Sequence, residues 1–130
     1  MSMKVAATAA FIEIVDFSEK MIENSTAIAQ LNDQFRHGDR SLGTYVLTPG
    51  VKKLPSDKIL ELYQLVQNFS SFTEDNDPHG EHDFGAIVMD DKKYFWKISY
   101  YDPTFTYASE NPSDIKVTRR VLTVMKSSEY

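Results

Sequence analysis

The sequence predicts an α+β fold, in which an antiparallel sheet of three to four strands with a central β-hairpin packs against two to three helices on one face. Two segments repeat apolar residues at the helical period, one between residues 25 and 38 and one between residues 57 and 68. A third segment, residues 84–101, places two apolar and aromatic runs around a short polar turn, which is typical of a hairpin. The length of 130 residues fits one core, so we assign residues 1–130 to a single domain.

The first helix is predicted to begin near Ser25, with Asn24 or Ser25 as its N-cap, and to end at Gly38, which can adopt the left-handed conformation. Its apolar positions lie at three- and four-residue steps, and they are Ile28, Leu31 and Phe35. The second helix is predicted from about Asp57 to about Asn68, where apolar residues again recur at helical steps.

Strands are predicted where β-branched and aromatic residues cluster. Residues Thr44–Thr48 form the first strand, and the "TPG" that begins at its last residue predicts a turn. The hairpin has one strand at Phe84–Met89, a turn at "DDK" and a second strand at Lys93–Tyr101. Both faces of the second strand carry aromatic residues, so we expect the hairpin to be central and partly covered on both sides.

The two ends of the chain are compatible with more than one structure. For residues 4–17 we favour a strand at Phe11–Phe17, while the preceding alanines would also accept a helix. Near the other end, Asn111 as a cap and Pro112 at the first helical position predict a helix, although "RVLTVM" could be a strand. In the helical interpretation Val121 lies on the apolar face and shares one core with Trp96.

Composition excludes several classes of site and partner. The chain has no cysteine, which excludes disulfides, thiolate metal sites and a cysteine nucleophile and suits a cytoplasmic protein. No apolar run reaches membrane-spanning length, so we expect no membrane partner. The net charge of −5 and the lack of a basic stripe predict no appreciable binding of duplex DNA, whereas an acidic surface can dock on a basic partner.

The stretch "DNDPHGEHDFG", residues 75–85, concentrates carboxylates and imidazoles. These groups could hold a divalent metal, and the candidate ligands are His79, His82 and Asp83. They could also perform acid–base chemistry, and the candidate catalytic residues are Glu81, His82, Asp83 and Arg120. The spacing matches neither the HExxH zinc motif nor a calcium-binding EF-hand loop, so we predict no cofactor, with a divalent metal left open.

A structural interpretation of the same stretch is stronger. Asp and Asn side chains commonly accept hydrogen bonds from backbone amides in turns, and Gly80 and Gly85 supply backbone freedom. We expect the loop to fix the entry of the hairpin, with one carboxylate paired to Arg120 rather than to Arg119.

Binding residues can be proposed from charge and aromatic character, since tyrosines provide contact area at low entropic cost. The candidates are Asp75, Asp77, Glu81, Tyr100, Tyr101 and Arg119. A small anionic or nucleotide ligand held by Arg119, Arg120 and Trp96 is a further alternative.

Several blocks also carry a family resemblance: "LNDQFR", "VLTPGV", "FTEDNDPHGEHDFGAI", "KKYFWKISYYD" and "VTRRVLTVMKSSEY". In this order they resemble the domain-of-unknown-function family 3768, a bacterial family of small single-domain proteins from proteobacterial plasmids, phages and integrated elements. The resemblance covers residues 25–130 and leaves 1–24 as an N-terminal extension. It places the family's acids and histidines at Asp75, Asp77, His79, Glu81, His82 and Asp83. We expect other members to carry an aromatic residue at the position of His79, and this expectation favours Glu81, His82 and Asp83.

The resemblance implies a mobile-element accessory protein, and small acidic proteins in that setting often inhibit host defence. Our first expectation is a non-enzymatic binder that inhibits or modulates a host defence complex, of the anti-CRISPR or anti-restriction type. The partner would be a host protein or a protein–nucleic acid complex, and a homo-oligomer stays open. The alternatives are a metal-assisted hydrolase or nuclease that uses the loop, and a small-ligand sequestering protein.

Overall fold

The structure is a computed structural model that describes residues 2–130, with side chains from residue 19 onward. It contains three α-helices and four strands, with single 3-10 turns at Arg40–Leu42 and Ser127–Glu129. In chain order the elements are α1 (Ser2–Arg36), β1 (Gly43–Leu47), α2 (Pro49–Lys52), α3 (Ser56–Gln67), β2 (Phe84–Met89), β3 (Lys92–Tyr101) and β4 (Arg119–Lys126).

The four strands form one sheet in the order β1-β4-β3-β2. Strands β2 and β3 pair antiparallel, as do β3 and β4, whereas β1 pairs with β4 in parallel. The α+β class and the hairpin are therefore confirmed, and the sheet is mixed because of its one parallel edge. Strand β3 lies inside the sheet, while β2 is an edge strand.

The hairpin turn is tight because Asp90 and Asp91 both adopt positive φ, at 52° and 62°. Two successive left-handed residues are typical of a type I′ turn, whose twist matches that of the flanking strands. Strand β3 is one residue longer than predicted, because Lys92 pairs with Met89.

The predicted C-terminal helix is wrong, because residues Arg119–Lys126 form strand β4. Its buried positions alternate from Arg120 to Val124, with Leu122 and Val124 inside, as expected for a strand on a half-covered sheet. Val124 pairs with Trp96, so Val121 lies on the opposite face, and the predicted shared core of Trp96 and Val121 is also wrong. Pairing with β3 on one side and β1 on the other outweighs the local helix-start signal.

The predicted strand at Phe11–Phe17 is wrong as well, because helix α1 runs from Ser2 to Arg36. No glycine or proline interrupts the chain before Gly38, so one helix can continue through both the alanine-rich and the apolar segments. The helix ends before Gly38, whose φ of 122° supports the predicted role of that glycine. The predicted turn at "TPG" is instead the start of the short helix α2, with Pro49 at its first position.

The core lies between the helices and one face of the sheet. Trp96, Leu122 and Val124 from the sheet pack against Phe35 of α1 and Val66 of α3. All five side chains are fully buried. The helices thus cover one sheet face, as predicted, and no helix among the described residues has the length and apolarity that a membrane crossing requires.

Candidate functional site

The loop between α3 and β2 is organised by Asp77, which is 8% exposed. Its carboxylate accepts hydrogen bonds from the backbone amides of Glu81 at 3.1 Å and His82 at 3.3 Å. Earlier in the loop, the backbone amide of Thr73 donates to Oδ1 of Asn76, and the amide of Asn76 donates to Oγ1 of Thr73. The expectation that acidic and amide side chains satisfy backbone groups here agrees with this geometry.

His82 lies between the loop and helix α1. Its Nδ1 atom is 2.9 Å and 3.1 Å from the two carboxylate oxygens of Asp33, and its Nε2 atom is 3.7 Å from Oδ2 of Asp77. The ring stacks on Phe72 with a centroid distance of 4.0 Å and an interplanar angle of 3°. The backbone of His82 has φ of 56°, an uncommon conformation for a non-glycine residue. The imidazole therefore connects the two segments at the cost of backbone strain.

Arg36 contacts Asp33 and Phe72, the same two partners as His82, from the side of the core. Its Nη2 atom donates to Oδ1 of Asp33 at 3.0 Å and to the backbone carbonyl of Phe69 at 3.2 Å. The guanidinium carbon lies 5.2 Å from the ring centres of both Phe72 and Trp96. Because the side chain is buried, these rings and the Asp33 carboxylate replace water around its charge.

Asn32 lies at the centre of a second cluster of polar side chains beside the loop. Its Nδ2 atom donates to the backbone carbonyl of Glu81 at 2.9 Å and to the hydroxyl of Tyr100 at 2.8 Å. Its Oδ1 atom accepts a 2.7 Å hydrogen bond from Nε of Arg120. Arg120 also donates to the backbone carbonyl of Pro112 at 2.6 Å, and its guanidinium carbon lies 5.3 Å from the Tyr100 ring centre. One asparagine thus joins α1, the loop, β3 and β4.

The electrostatics of this group are governed by burial. Burial, followed by the nearby carboxylate of Asp83, raises the pKa of Glu81 above its ordinary range. Burial likewise raises the pKa of Asp83 and of the Tyr100 hydroxyl, and it lowers the pKa of Arg120. A pair of carboxyl groups with raised pKa values beside a buried arginine could exchange protons closer to neutral pH than ordinary acids.

The predicted pairing of Arg120 with a loop carboxylate is wrong. Among the described side chains Arg120 makes no ion pair, and its hydrogen bonds go to an amide oxygen and a carbonyl. A carboxylate of the loop does influence it at longer range, since Glu81 favours its charged form. Of the two arginines, Arg120 is fully buried and Arg119 is exposed.

The other predicted site residues are scattered. Asp75 and His79 are exposed in the loop. Tyr101 and Arg119 pair with each other on the sheet face that points away from Arg120. The structure therefore does not bring Arg119 together with Arg120 and Trp96, as the small-ligand alternative requires.

The metal candidates His79, His82 and Asp83 do not converge. Within residues whose side chains the structure describes, no three histidine or carboxylate groups are arranged to hold a metal ion. The imidazole of His82 instead faces Asp33.

Sequence reasoning missed three residues that helix α1 brings to the loop and one aromatic residue within the loop. They are Asn32, Asp33, Arg36 and Phe72. One available signal was Asn32, a polar residue one position from Leu31 on an otherwise apolar helical stripe. Such a residue is buried only if it has hydrogen-bond partners.

A cleft of about 540 Å³ opens between helix α1 and the loop. Its helix wall includes Met21 and Ile22, which are 57% and 66% exposed. Its loop wall includes Glu74, Asp77 and His79.

Comparison with known proteins gives a family and no named relative. The model of the family described as "Protein of unknown function (DUF3768)" matches residues 47–129. Neither the curated proteins nor the solved structures contain a match to the chain. The matched span contains the loop and strands β2 to β4, whereas Asn32, Asp33 and Arg36 lie before it. Since the match covers more than half of the chain, the protein belongs to the DUF3768 family.

Proposed function

We propose that this protein is a non-enzymatic binder that docks on a basic, partly apolar surface of a host protein or protein–nucleic acid complex. The observation that carries the proposal is the cleft between α1 and the loop. Met21 and Ile22 are largely exposed there, and adjoining apolar side chains left open to water are typical of interaction sites.

The charge around the cleft indicates the chemistry of the partner. Glu74 and Asp75 are exposed on the loop, and Glu23 is exposed beside Ile22 on the helix. Carboxylates that surround an apolar patch favour a partner segment with apolar anchors and surrounding lysine or arginine side chains. The electrostatic attraction would mainly raise the association rate, while the buried apolar anchors would set the affinity.

The biological setting of the proposal is an accessory protein of a plasmid or phage that inhibits or modulates a host defence complex. Its support is the small, acidic, cysteine-free chain and the family resemblance. Defence complexes that handle nucleic acid present basic surfaces, and an acidic protein can occupy them.

The test is affinity capture from host lysate with matched surface variants and mass spectrometry. The wild-type protein and Leu60→Asp should retain the same partner, whereas Ile22→Asp should lose it. Leu60 is a fair control because it is 58% exposed on α3, close to the 66% of Ile22. Glu74→Lys should also weaken capture, and Glu110→Lys, at another exposed acidic residue, should not. Equal capture by all variants would rule out the cleft.

A second candidate function is acid–base catalysis, and the raised pKa values of Glu81 and Asp83 favour it. In a hydrolase one of these carboxyl groups would donate or accept the proton, with Arg120 as a buried positive charge. Glu81→Gln would then abolish turnover while leaving the melting temperature unchanged or higher. In the binding proposal the same variant keeps partner capture, because Glu81 does not line the cleft.

A further inference from the structure

We propose that the sheet face opposite the helices binds single-stranded nucleic acid, with aromatic side chains that stack on bases and cations that contact phosphates. This surface is separate from the acidic cleft. The inference therefore goes beyond the function proposed above and can fail or succeed independently of it.

The open face is defined by the alternation of side chains along β3. Tyr94, Trp96 and Ile98 are buried beneath the helices, so the residues between them, including Phe95 and Lys97, point the other way. Phe35 of α1, Val51 of α2, and Leu62 and Val66 of α3 join the core on the Trp96 side. Among the described residues, no helix covers the face that carries Phe95.

An aromatic cluster lies at one end of this face. Phe84 and Phe95 are neighbours in the hairpin with ring centres 5.3 Å apart, and Tyr130 packs on both at 5.8 Å and 5.2 Å. Tyr130 is 74% exposed, while the two phenylalanines are half-buried. Rings that are held in place by one another and remain open to solvent can accept a stacked base at little entropic cost.

A second aromatic pair lies at the other end of β3. Tyr101 contacts Phe105 with ring centres 6.5 Å apart, and Phe105 is 48% exposed. The backbone of Phe105 has φ of 58°, so a strained turn holds this ring next to the strand. Phe95 and Tyr101 are six residues apart on the same face, which corresponds to about 20 Å along the strand. A single strand of a few nucleotides can reach both aromatic groups.

The charges on the open face are complementary to phosphate. Lys93, Lys97 and Arg119 are exposed there, and none of the four strands contains an aspartate or glutamate. Asp90 at the hairpin turn is directed to Lys58 of α3, on the helical side, with an N–O distance of 2.9 Å. On this face of a chain with net charge −5, the charged side chains that the strands themselves contribute are therefore all cationic.

This combination favours a single strand over the other occupants of an open sheet face. A second copy of the chain would place the same three cations opposite each other, which is unfavourable. In a duplex the faces of the bases are stacked inside the helix, so the aromatic clusters would have no bases to contact. The predicted lack of duplex DNA binding agrees with a surface of this kind.

The experiment measures fluorescence anisotropy of a labelled oligothymidylate of about twelve nucleotides, within the usual size range of single-strand sites, and of its duplex with oligoadenylate. The full-length protein should bind the single strand at least about tenfold more tightly than the duplex. Tyr130→Leu, which keeps an apolar contact but removes the aromatic ring, should weaken single-strand binding several-fold. Lys97→Gln should also weaken single-strand binding. It should reduce the slope of log association constant against log salt concentration by about 0.7.

Lys53→Gln is the matched control, because it removes the same charge from the exposed end of α2, in the helical layer. It should leave single-strand affinity and salt slope unchanged. Sedimentation of the same samples, with and without anionic lipid vesicles, tests the other occupants. The proposal is overturned if single-strand binding is absent at low salt, if Lys53→Gln weakens binding as much as Lys97→Gln, or if duplex binds equally well. Self-association or vesicle binding that is lost in Lys97→Gln, with no binding of the oligonucleotide, would also overturn it.

Discussion

Nε of Arg120 donates a 2.7 Å hydrogen bond to Oδ1 of Asn32, and this contact joins strand β4 to helix α1 across 88 positions of the chain. Both side chains are fully buried. The positive charge is thus solvated by an amide oxygen, a backbone carbonyl and the ring of Tyr100. Buried charge without such partners is strongly destabilising, so this contact should contribute much of the attachment of α1 to the sheet.

Removal of Asn32 provides the direct measurement of this contact. Asn32→Ala leaves Arg120 Nε without its partner and also removes the hydrogen bonds to Tyr100 and to the carbonyl of Glu81. We expect the free energy of unfolding in urea to fall by at least about 2–3 kcal/mol. Gln30→Ala, at an exposed position two residues earlier on the same helix, should change it by less than about 0.5 kcal/mol. Equal effects of the two variants would show that the contact contributes little.

Trp96 should be essential to the core, because it is fully buried among residues of the sheet and of α1 and α3. Trp96→Ala should lower the free energy of unfolding by about 3–5 kcal/mol. Val88→Ala, at a strand position that is 66% exposed, is the control and should have a small effect. A melting temperature that is unchanged in Trp96→Ala would contradict the burial of this side chain.

Gly85 of the neighbouring strand β2 lies against the ring of Trp96, so a substitution there also tests the packing of this core. A Cβ atom built at this position would collide with Nε1 of Trp96 and would lie 2.9 Å from the Phe69 ring. Gly85→Ala must therefore displace packed aromatic side chains, and we expect a loss of about 1–3 kcal/mol in urea unfolding. Gly80→Ala should be distinguishable, since a Cβ atom built at Gly80 would have no neighbour within 4 Å and only the φ of 66° opposes the change. A wild-type value for Gly85→Ala would contradict the close approach.

Asp77 should contribute to the stability of the folded protein, whereas Asp75 should not. Asp77 is buried and accepts backbone hydrogen bonds from Glu81 and His82, so Asp77→Asn should reduce the free energy of unfolding by about 1–3 kcal/mol. Asp75→Asn changes the same charge at an exposed position and should have almost no effect. Thermal unfolding at neutral pH is the measurement. If both variants melt like the wild type, Asp77 does not organise the loop.

Glu81 and Asp83 should make stability fall as pH rises. Their pKa values in the folded protein are raised above the ordinary values of 4.5 and 3.8. The folded state therefore holds these protons more tightly than the unfolded state, and this contribution is lost as pH rises through the folded pKa values. A Glu81→Gln, Asp83→Asn double variant should be more stable than the wild type at neutral pH, and its stability should depend less on pH as the pH rises above the ordinary values of these groups. A double variant that is less stable at neutral pH would contradict the sign.

Glu129 should have the opposite dependence on pH. Its carboxylate accepts hydrogen bonds from the hydroxyl of Thr48 and the backbone amides of Gly50 and Lys126, and these contacts lower its pKa. This contribution is present above the ordinary value of 4.5 and is lost as pH falls through the folded pKa. Glu129→Gln should thus melt below the wild type at neutral pH, and the difference should narrow in acid. A constant difference across that range would contradict the assignment.

The sequence by itself determined the parts of the structure that depend on local patterns. The hairpin at residues 84–101, the helix near residues 57–68 and the end of α1 before Gly38 all follow from short-range periodicity and turn residues. The burial of Trp96 and the structural role of acidic side chains in the loop follow from similar reasoning, since both depend on the identity of the residue and its nearest neighbours.

Only the tertiary structure decided the features that depend on distant partners. Residues 119–126 carry both helical and strand signals, and pairing with β3 and with the parallel edge strand β1 made them a strand. In a strand, successive side chains point to opposite faces of the sheet. Val121 therefore lies outside the core, and Arg119 lies on the open face. The partners of His82 and Arg120 were likewise set by α1, because Asp33 and Asn32 lie 49 and 88 positions away from them. No local pattern specifies which distant residues will meet, since that depends on how the helix and the sheet pack together.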